Sequence, residues 1–570
     1  MDQNRAPPPA LAADALLAQA RLGGPEAALA AKRAAILAEP ARPALAHEAL
    51  ALAVRLDPAD SDARLGLARM HAEASDLDAA ADQASLVLKD AVDQGARARA
   101  AFIIGEIARV KGENDVARAH YGLVMSIEER LLAIDRSEPT ASRWYARARG
   151  RVAELDCAAG HTSSARSGAE GALGMLRAIA AHIGEQPMLA ADIADAEFRL
   201  AQLELDAGEA LSARRRAGEA IGRYEALAAT EAQEPHWRSV LADCWRLAAE
   251  ADFSRGAKDR ARESMDKSLQ ARLRLAARHP EEAPALAGTW RVRAALLFAL
   301  RDNEGAAQSL EQARALAEQL YRNAPDSEPR ARFLVHTLLE QADLALQTGA
   351  LPAALDAADS ARALAEQRAQ AEPWFSETAA CWDRLAQIAR VANDAQRTRD
   401  ALERAVAFRR MALEAAPDDA QAQRGIAAAL VRFGEASLDS GGNAKARRAF
   451  EESAALRLNL AEAAPDDPRA ALALAGALER LGLAALAAGD SGGARAAWES
   501  ELALAEKIYP DDDNDHGVRF RAIVHAHLVN AGGLAADLHR SEAVRLFDLL
   551  ASSGALTQNE AALREKLRGA

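Results

Sequence analysis

Two small residues stand twelve positions apart at eleven places in this 570-residue chain, and successive pairs mostly follow one another by 44 to 49 residues. The first members are Ala68, Gly105, Ala153, Ala201, Ala249, Ala294, Ala342, Ala386, Gly434, Gly482 and Ala531. Their partners are Ala80, Ala117, Ala165, Ala213, Ala261, Ala306, Ala354, Thr398, Ala446, Ala494 and Ala543. A fixed step of this size marks a stacked array, in which each unit buries its apolar face only against its neighbours. Such an array grows by addition and escapes the size limit of a single core, so the length is read as one continuous domain.

The kind of unit follows from composition. Half of the residues are hydrophobic but only 4% are aromatic, so Ala and Leu carry the apolar content and helix is favoured over strand. The expected fold class is all-α. A net charge of −14 and a pI near 5.5 argue against a nucleic-acid partner, which calls for a basic surface. Lys is sparse (Lys32, Lys89, Lys258, Lys445) and Arg carries most of the basic charge, a bias of GC-rich bacterial genomes. Cys157, Cys244 and Cys381 form no CxxC pair, so neither a zinc site nor a disulfide framework is signalled and a reducing compartment fits. The start, MDQNRAPPPALAAD, lacks a cationic leader, and no stretch reads as a membrane span, so a cytoplasmic location is expected.

Two punctuation marks recur. Gly112, Gly160, Gly208, Gly256, Gly349, Gly441 and Gly489 each lie seven residues after a first small position, where a left-handed glycine would close one helix before the next begins. A proline ends each unit, among them Pro139, Pro187, Pro417, Pro465 and Pro510, and separates a second helix from the following first one. Acidic residues after Pro417 and Pro465 suit the new helix N-terminus. Residues 1–9, with Pro7, Pro8 and Pro9, are expected to be disordered, and 10–56 to form degenerate or capping helices. Residues 57–550 form the array of about eleven helix pairs, and 555–570 a capping helix opened by a Thr557–Glu560 capping box.

The clearest unit is LERLGLAALAAGDSGGARAAWES at 478–500, with Leu481-Gly482, Gly489-Asp490, Ala494 and Trp498. Together with Phe433-Gly434, Gly441, Ala446 and Phe450, and with Trp245, Trp290 and Trp382 four residues before a small position, it resembles the tetratricopeptide repeat (TPR) family. That resemblance implies a right-handed superhelix of antiparallel helix pairs that binds a peptide or partner protein in its concave groove. The family's usual unit is about 34 residues, so longer helices of about 20 residues are expected here. Extended arrays of this type resemble those attached to bacterial kinases, cyclases and peptidases. The second functional reading is therefore a sensor or adaptor that controls a separately encoded effector of that kind.

No nucleophile elbow, Walker loop, HExxH or dinucleotide-binding glycine turn occurs, so no catalytic residue, cofactor or metal site is assigned. The loop Asp511–Gly517 fails as a calcium loop, because Ala522 stands where a bidentate Glu should close the cage. Trp245, Trp290, Trp382 and Trp498 are expected in the core. Trp144, Trp237 and Trp374, one to five residues after a proline, are the candidate groove anchors. By the family's pattern, the residue after the first small position points into the groove. Glu106, Glu154, Glu250, Asp343 and Glu435 occupy that place, with Glu73, Asp206 and Asp439 four residues farther along their helices. A run of carboxylates there would attract a partner with a basic segment.

Overall fold

The structure, a computed structural model, describes residues 9–38, 42–74, 76–135, 138–230, 235–371, 373–465 and 467–569. Among them the regular elements are twenty-six α-helices and one short 3-10 turn, with no strand. Residues 1–8 of the expected disordered start lie outside this set, and Pro9 already opens the first helix. The residues divide into two compact units, 1–306 and 307–570.

In the first unit α1 (Pro9–Leu22), α2 (Ala27–Ala38) and α3 (Pro43–Leu56) precede five helix pairs. These are α4 (Ser61–Glu73) with α5 (Leu77–Asp90), α6 (Gln94–Val110) with α7 (Asn114–Ile134), and α8 (Pro139–Ala158) with α9 (Thr162–Ile183). Then come α10 (Pro187–Asp206) with α11 (Ala210–Thr230), α12 (Pro235–Ser254) with α13 (Lys258–Ala276), and α14 (Ala283–Ala299). The division falls inside α15 (Asn303–Asn323).

The second unit holds five further pairs. They are α16 (Glu328–Gln347) with α17 (Leu351–Ala369), α18 (Phe375–Val391) with α19 (Ala395–Ala415), and α20 (Ala420–Asp439) with α21 (Asn443–Ala463). They continue with α22 (Pro468–Ala487) and α23 (Ser491–Ile508), α24 (Asp515–Ala531) and α25 (Ala536–Ser552), and α26 (Gln558–Gly569) closes the chain. From α6 to α25 the helices run 17 to 22 residues, the length that a unit longer than the usual TPR requires.

Local chemistry sets the helix ends. Pro139 and Pro187 sit at first helical positions, where a missing N–H costs nothing. The side chains of Asp419 and Asp467 accept from the backbone N–H of Gln421 and Arg469 and cap α20 and α22. Asn514 caps α24 through His516 and Gly517, which gives the acidic loop before it a structural role. The Thr557–Glu560 capping box is formed, the Thr557 N–H donating to Glu560 Oε2 at 2.8 Å.

The turn inside each pair is built one way. Gly160 has φ +80°, its N–H donates to the Cys157 carbonyl at 2.9 Å, and the His161 N–H reaches the Asp156 carbonyl at 2.8 Å. This double closure satisfies two carbonyls that the helix end would leave orphaned. The other six glycines of the set share the positive φ, between 75° and 83°. In two of the four units that lack the glycine, Arg301 (φ 67°) and Asn393 (φ 57°) take its place with the same hydrogen bonds.

The small residues lie where the paired helices cross, and where the first is glycine a ring of the second helix lies over it. An added Cβ on Gly434 would lie 2.6 Å from the Phe450 ring, and one on Gly105 2.7 Å from Tyr121, in each case sixteen residues on. Ala446 and Ala117, the twelve-residue partners, are fully buried beside those rings. The eleventh pair is out of register, because Ala531 is the last residue of α24 and the turn follows at once at Gly532. Seven residues before that turn stands His525, whose Nδ1 lies 2.9 Å from His539 Nδ1.

By length and composition α22 could cross a membrane, against the sequence reading. Here it is packed between α21 and α23 and carries Arg480, paired with Glu435 at 2.6 Å.

Candidate interaction surface

Within each unit, a first helix touches the first helix of the next pair, as α4 does α6, α6 does α8, α8 does α10 and α20 does α22. Among the described residues second helices make no comparable contact with one another. The first helices therefore converge and form the inner face of their unit.

On that face the expected carboxylates are tied into a ladder. Glu106 accepts from the Tyr121 hydroxyl at 2.5 Å and lies 2.7 Å from Arg151 Nε, an arginine two residues before the next small position. Arg151 also reaches Glu154 at 3.0 Å, and Glu154 pairs with Arg199. In the second unit Asp343 pairs with Arg384 at 2.7 Å and Glu435 with Arg480 at 2.6 Å. The rule is one acid after a small position and one arginine two before the next. Glu250 has Val292 at the arginine position and turns instead to Arg246 in its own helix, at 2.6 Å.

Burial works against ionisation of Glu106, but Arg151, Tyr121 and Arg109 outweigh it and hold the carboxyl below its ordinary range. At Asp343 burial outweighs Arg384 and pushes the carboxyl up. These carboxylates are thus matched by arginines, and the inner face is not the unpaired acidic channel expected from the sequence. Asp206 and Asp439 are exposed, and the side chain of Glu73 lies outside the described set.

The anchor tryptophans divide differently from the expectation. Trp237 is 6% exposed and Trp374 only 1%, so both are core residues and not surface anchors. Each lies at the start of a first helix, where it is covered within the unit's core. Conversely Trp245, Trp290 and Trp382 are only half-buried, while Trp498 is fully buried. Trp144 alone among the candidates keeps an open face. It packs edge-on against Phe102 at 5.3 Å, and Arg147 lies 4.3 Å above its ring.

Three clefts open on the inner faces. In the first unit, one of about 770 Å³ lies between α4, α6 and α8, with Ile103, Val110, Trp144 and Met188 in its lining. A second, of about 350 Å³, brings together Glu154, Asp206 and Glu250 around Arg199 and Cys157. In the second unit a cleft of about 700 Å³ holds Glu435 and Asp439 together with Arg384, Arg390, Arg409 and Arg432. There Asp383 bridges Arg409 at 2.5 Å and Arg432 at 2.8 Å. The ladder arginines and the apolar cleft escaped the sequence reading. The run Ala101-Phe102-Ile103-Ile104 in α6, broader than one buried stripe needs, was the available signal for the cleft.

Burial pushes the Cys381 thiol up to about 12 and the Cys244 thiol up as well, the reverse of an activated nucleophile. Among the described residues no three His, Cys, Asp or Glu side chains are grouped to hold a metal.

Solved structures similar to this chain are helical-repeat proteins. The apo form of RapI matches at a TM-score of 0.44 and 11% identity over 70% of this chain and 98% of that one. Yeast Tom70 matches at 0.36 and 13% over 88% and 96%. A Podosopora anserina putative kinesin light chain with TPR-like repeats matches at 0.30 and 19% over 40% and 97%. No family model and no curated protein matches. These likenesses concern fold alone. The class of the protein, an all-α helical repeat array of TPR-like helix pairs, rests on the chain's own recurring turn and crossing.

Proposed function

We propose that the chain is a non-catalytic scaffold that seats a segment of a partner protein on the inner face of the first helices. The observation that carries this is the cleft between α4, α6 and α8. Val110 and Met188 stand 62% and 57% exposed there, beside the half-buried ring of Trp144, on a face otherwise dominated by paired charges. Open apolar surface ringed by polar residues is what a docking site offers before its partner arrives. RapI, Tom70 and kinesin light chain contribute no partner to this reading. The free thiols fit a reducing compartment, and the cytoplasm is the proposed location.

The test is photocrosslinking in the source cells from a benzophenone amino acid at position 110, with position 116 on α7 as the outer-face control. Val116 is similarly exposed, at 44%. Discrete protein adducts from 110 and none from 116 are expected. Equal labelling from both positions, or none from either, would contradict the proposal.

A further inference from the structure

We infer that a second cleft, between the second helices α17 and α19 of the second unit, takes a basic, apolar-anchored segment of a partner protein. It lies away from the inner face and does not depend on the docking reading above. The two helices part here and leave α18 as the floor of a cleft of about 470 Å³. Leu351, Pro352 and Leu355 of α17 form one wall, and Trp382 and Ala392 of α18 lie in the floor. Pro352 and Ala392 are exposed, and Leu351, Leu355 and Trp382 are half-buried. The Trp382 Nε1–H donates to Glu366 Oε1 at 3.0 Å, so its polar group is satisfied and the ring remains as apolar lining.

The rim keeps a negative surplus after every ion pair is counted. Arg362 is shared by Asp359, at 3.1 Å, and Glu366, at 2.6 Å, one positive charge for two negative. Arg397 turns to Asp394 at 3.9 Å, and the other oxygen of Asp394 caps α19 by accepting from the Arg397 backbone N–H. Asp400 accepts only from an uncharged donor, the Gln396 amide, at 2.9 and 3.0 Å. Arg404, one turn farther along α19, does not line the cleft. Four carboxylates thus stand beside two guanidinium groups, and two negative charges are left unmatched at the edge of an apolar floor. A segment that seats an apolar side chain against Leu355 and Trp382, with Lys or Arg flanking it, satisfies both the floor and the rim. An acidic segment would bring like charges together and be disfavoured.

The experiment pans a displayed library of random linear peptides against the full chain and against the full-chain Leu351→Asn variant, which removes apolar surface without adding charge. Peptides retained by the wild type and lost on Leu351→Asn are expected to be net basic with at least one large apolar residue. A synthetic copy should bind about tenfold more weakly to Leu351→Asn and about threefold more weakly to Asp400→Asn, and should weaken at raised salt. Leu351-sensitive peptides that are acidic or neutral, a copy indifferent to Asp400→Asn, or the absence of any Leu351-sensitive peptide would each overturn the inference. Concentration-dependent dimers abolished by Leu351→Asn would show a second copy as the occupant and also overturn it. None of these results bears on the inner-face reading, which crosslinking from position 110 tests separately. If Leu351→Asn loses helicity, Ala392→Arg, which fills the cleft from an exposed position and adds a cation, serves in its place with the same outcomes.

Discussion

The indole of Trp498 lies across Gly482 and fills the space that a side chain at 482 would need, while its Nε1–H donates to the Glu479 carbonyl at 3.3 Å. The same exchange of volume sets Gly434 under Phe450 and Gly105 under Tyr121. Where the residue sixteen later is small, as Ala217 after Ala201 or Ala358 after Ala342, the first position can carry alanine, and both members are fully buried. A ring sixteen residues on thus goes with glycine at the first position, whereas a small or aliphatic residue there, such as Met265 after Ala249, leaves room for alanine.

Gly482→Ala is therefore expected to destabilise α22 and α23. Overpacking against a rigid ring costs about 1–3 kcal/mol, and alanine's better helix propensity returns at most about 1 kcal/mol. The net loss, about 2 kcal/mol at the upper end of that cost with the full propensity return, should appear as faster hydrogen exchange in the two helices. In a cycle with Trp498→Ala the glycine substitution should become neutral or favourable, because the resulting Ala/Ala crossing already occurs at Ala201 and Ala217.

Arg301→Gly is expected to stabilise the chain. Arg301 holds φ 67° while exposed at a turn, a conformation that costs a side-chain-bearing residue about 1 kcal/mol. Asn393→Gly should gain less, since asparagine tolerates that region. The reverse change, Gly160→Ala, should cost about 1 kcal/mol. Urea titration of the three variants orders them, and equal midpoints would contradict the account.

Glu501 in α23 is 2% exposed, and its Oε2 has no hydrogen-bond partner. Burial, helped by nearby Glu479, pushes its carboxyl up to about 8 from an ordinary value of 4.5. Between those values the unfolded chain has released the proton and the folded chain retains it, so stability falls as pH rises through the window. Glu501→Gln should match the wild type near pH 4.5 and exceed it progressively toward pH 8, by about 2–4 kcal/mol. A difference independent of pH in local hydrogen exchange would count against the buried carboxyl.

His525 gives the opposite slope. Burial first, then His539, Arg521 and Arg545, lower its imidazole to about 4, against a smaller opposing pull from Glu542. From pH 6.5 down to about 4 the unfolded chain binds a proton that the folded one refuses, so stability is lost as pH falls. His525→Ala, which restores a small residue seven before the turn, should flatten that loss in α24 and α25. An unchanged acid limb in their exchange profile would contradict it.

Much of this architecture was legible because turn chemistry is local. A glycine seven after a small residue needs only its own backbone, and the proline marks need only theirs. The residue sixteen on was harder to assign, because alanine-rich helices offer small side chains at both spacings and only a ring over a glycine marks it. Trp237 and Trp374 misled because a tryptophan just after a proline can face either inward or outward until the rest of the unit is placed. The inner-face charges misled for a related reason. Glu435 and Arg480 lie 45 residues apart in sequence and neutralise one another only once successive first helices touch. The arginine two before five of the eleven first small positions, Arg151, Arg199, Arg384, Arg432 and Arg480, carried the missing information.

Hydrogen-exchange mass spectrometry of the full chain, with and without a peptide selected on the cleft between α4, α6 and α8, tests the docking account most directly. Slowed exchange confined to α4, α6 and α8 is the expected result. Protection on α5, α7 and α9 instead, or around Arg384 and Arg432 in the second unit, would contradict it.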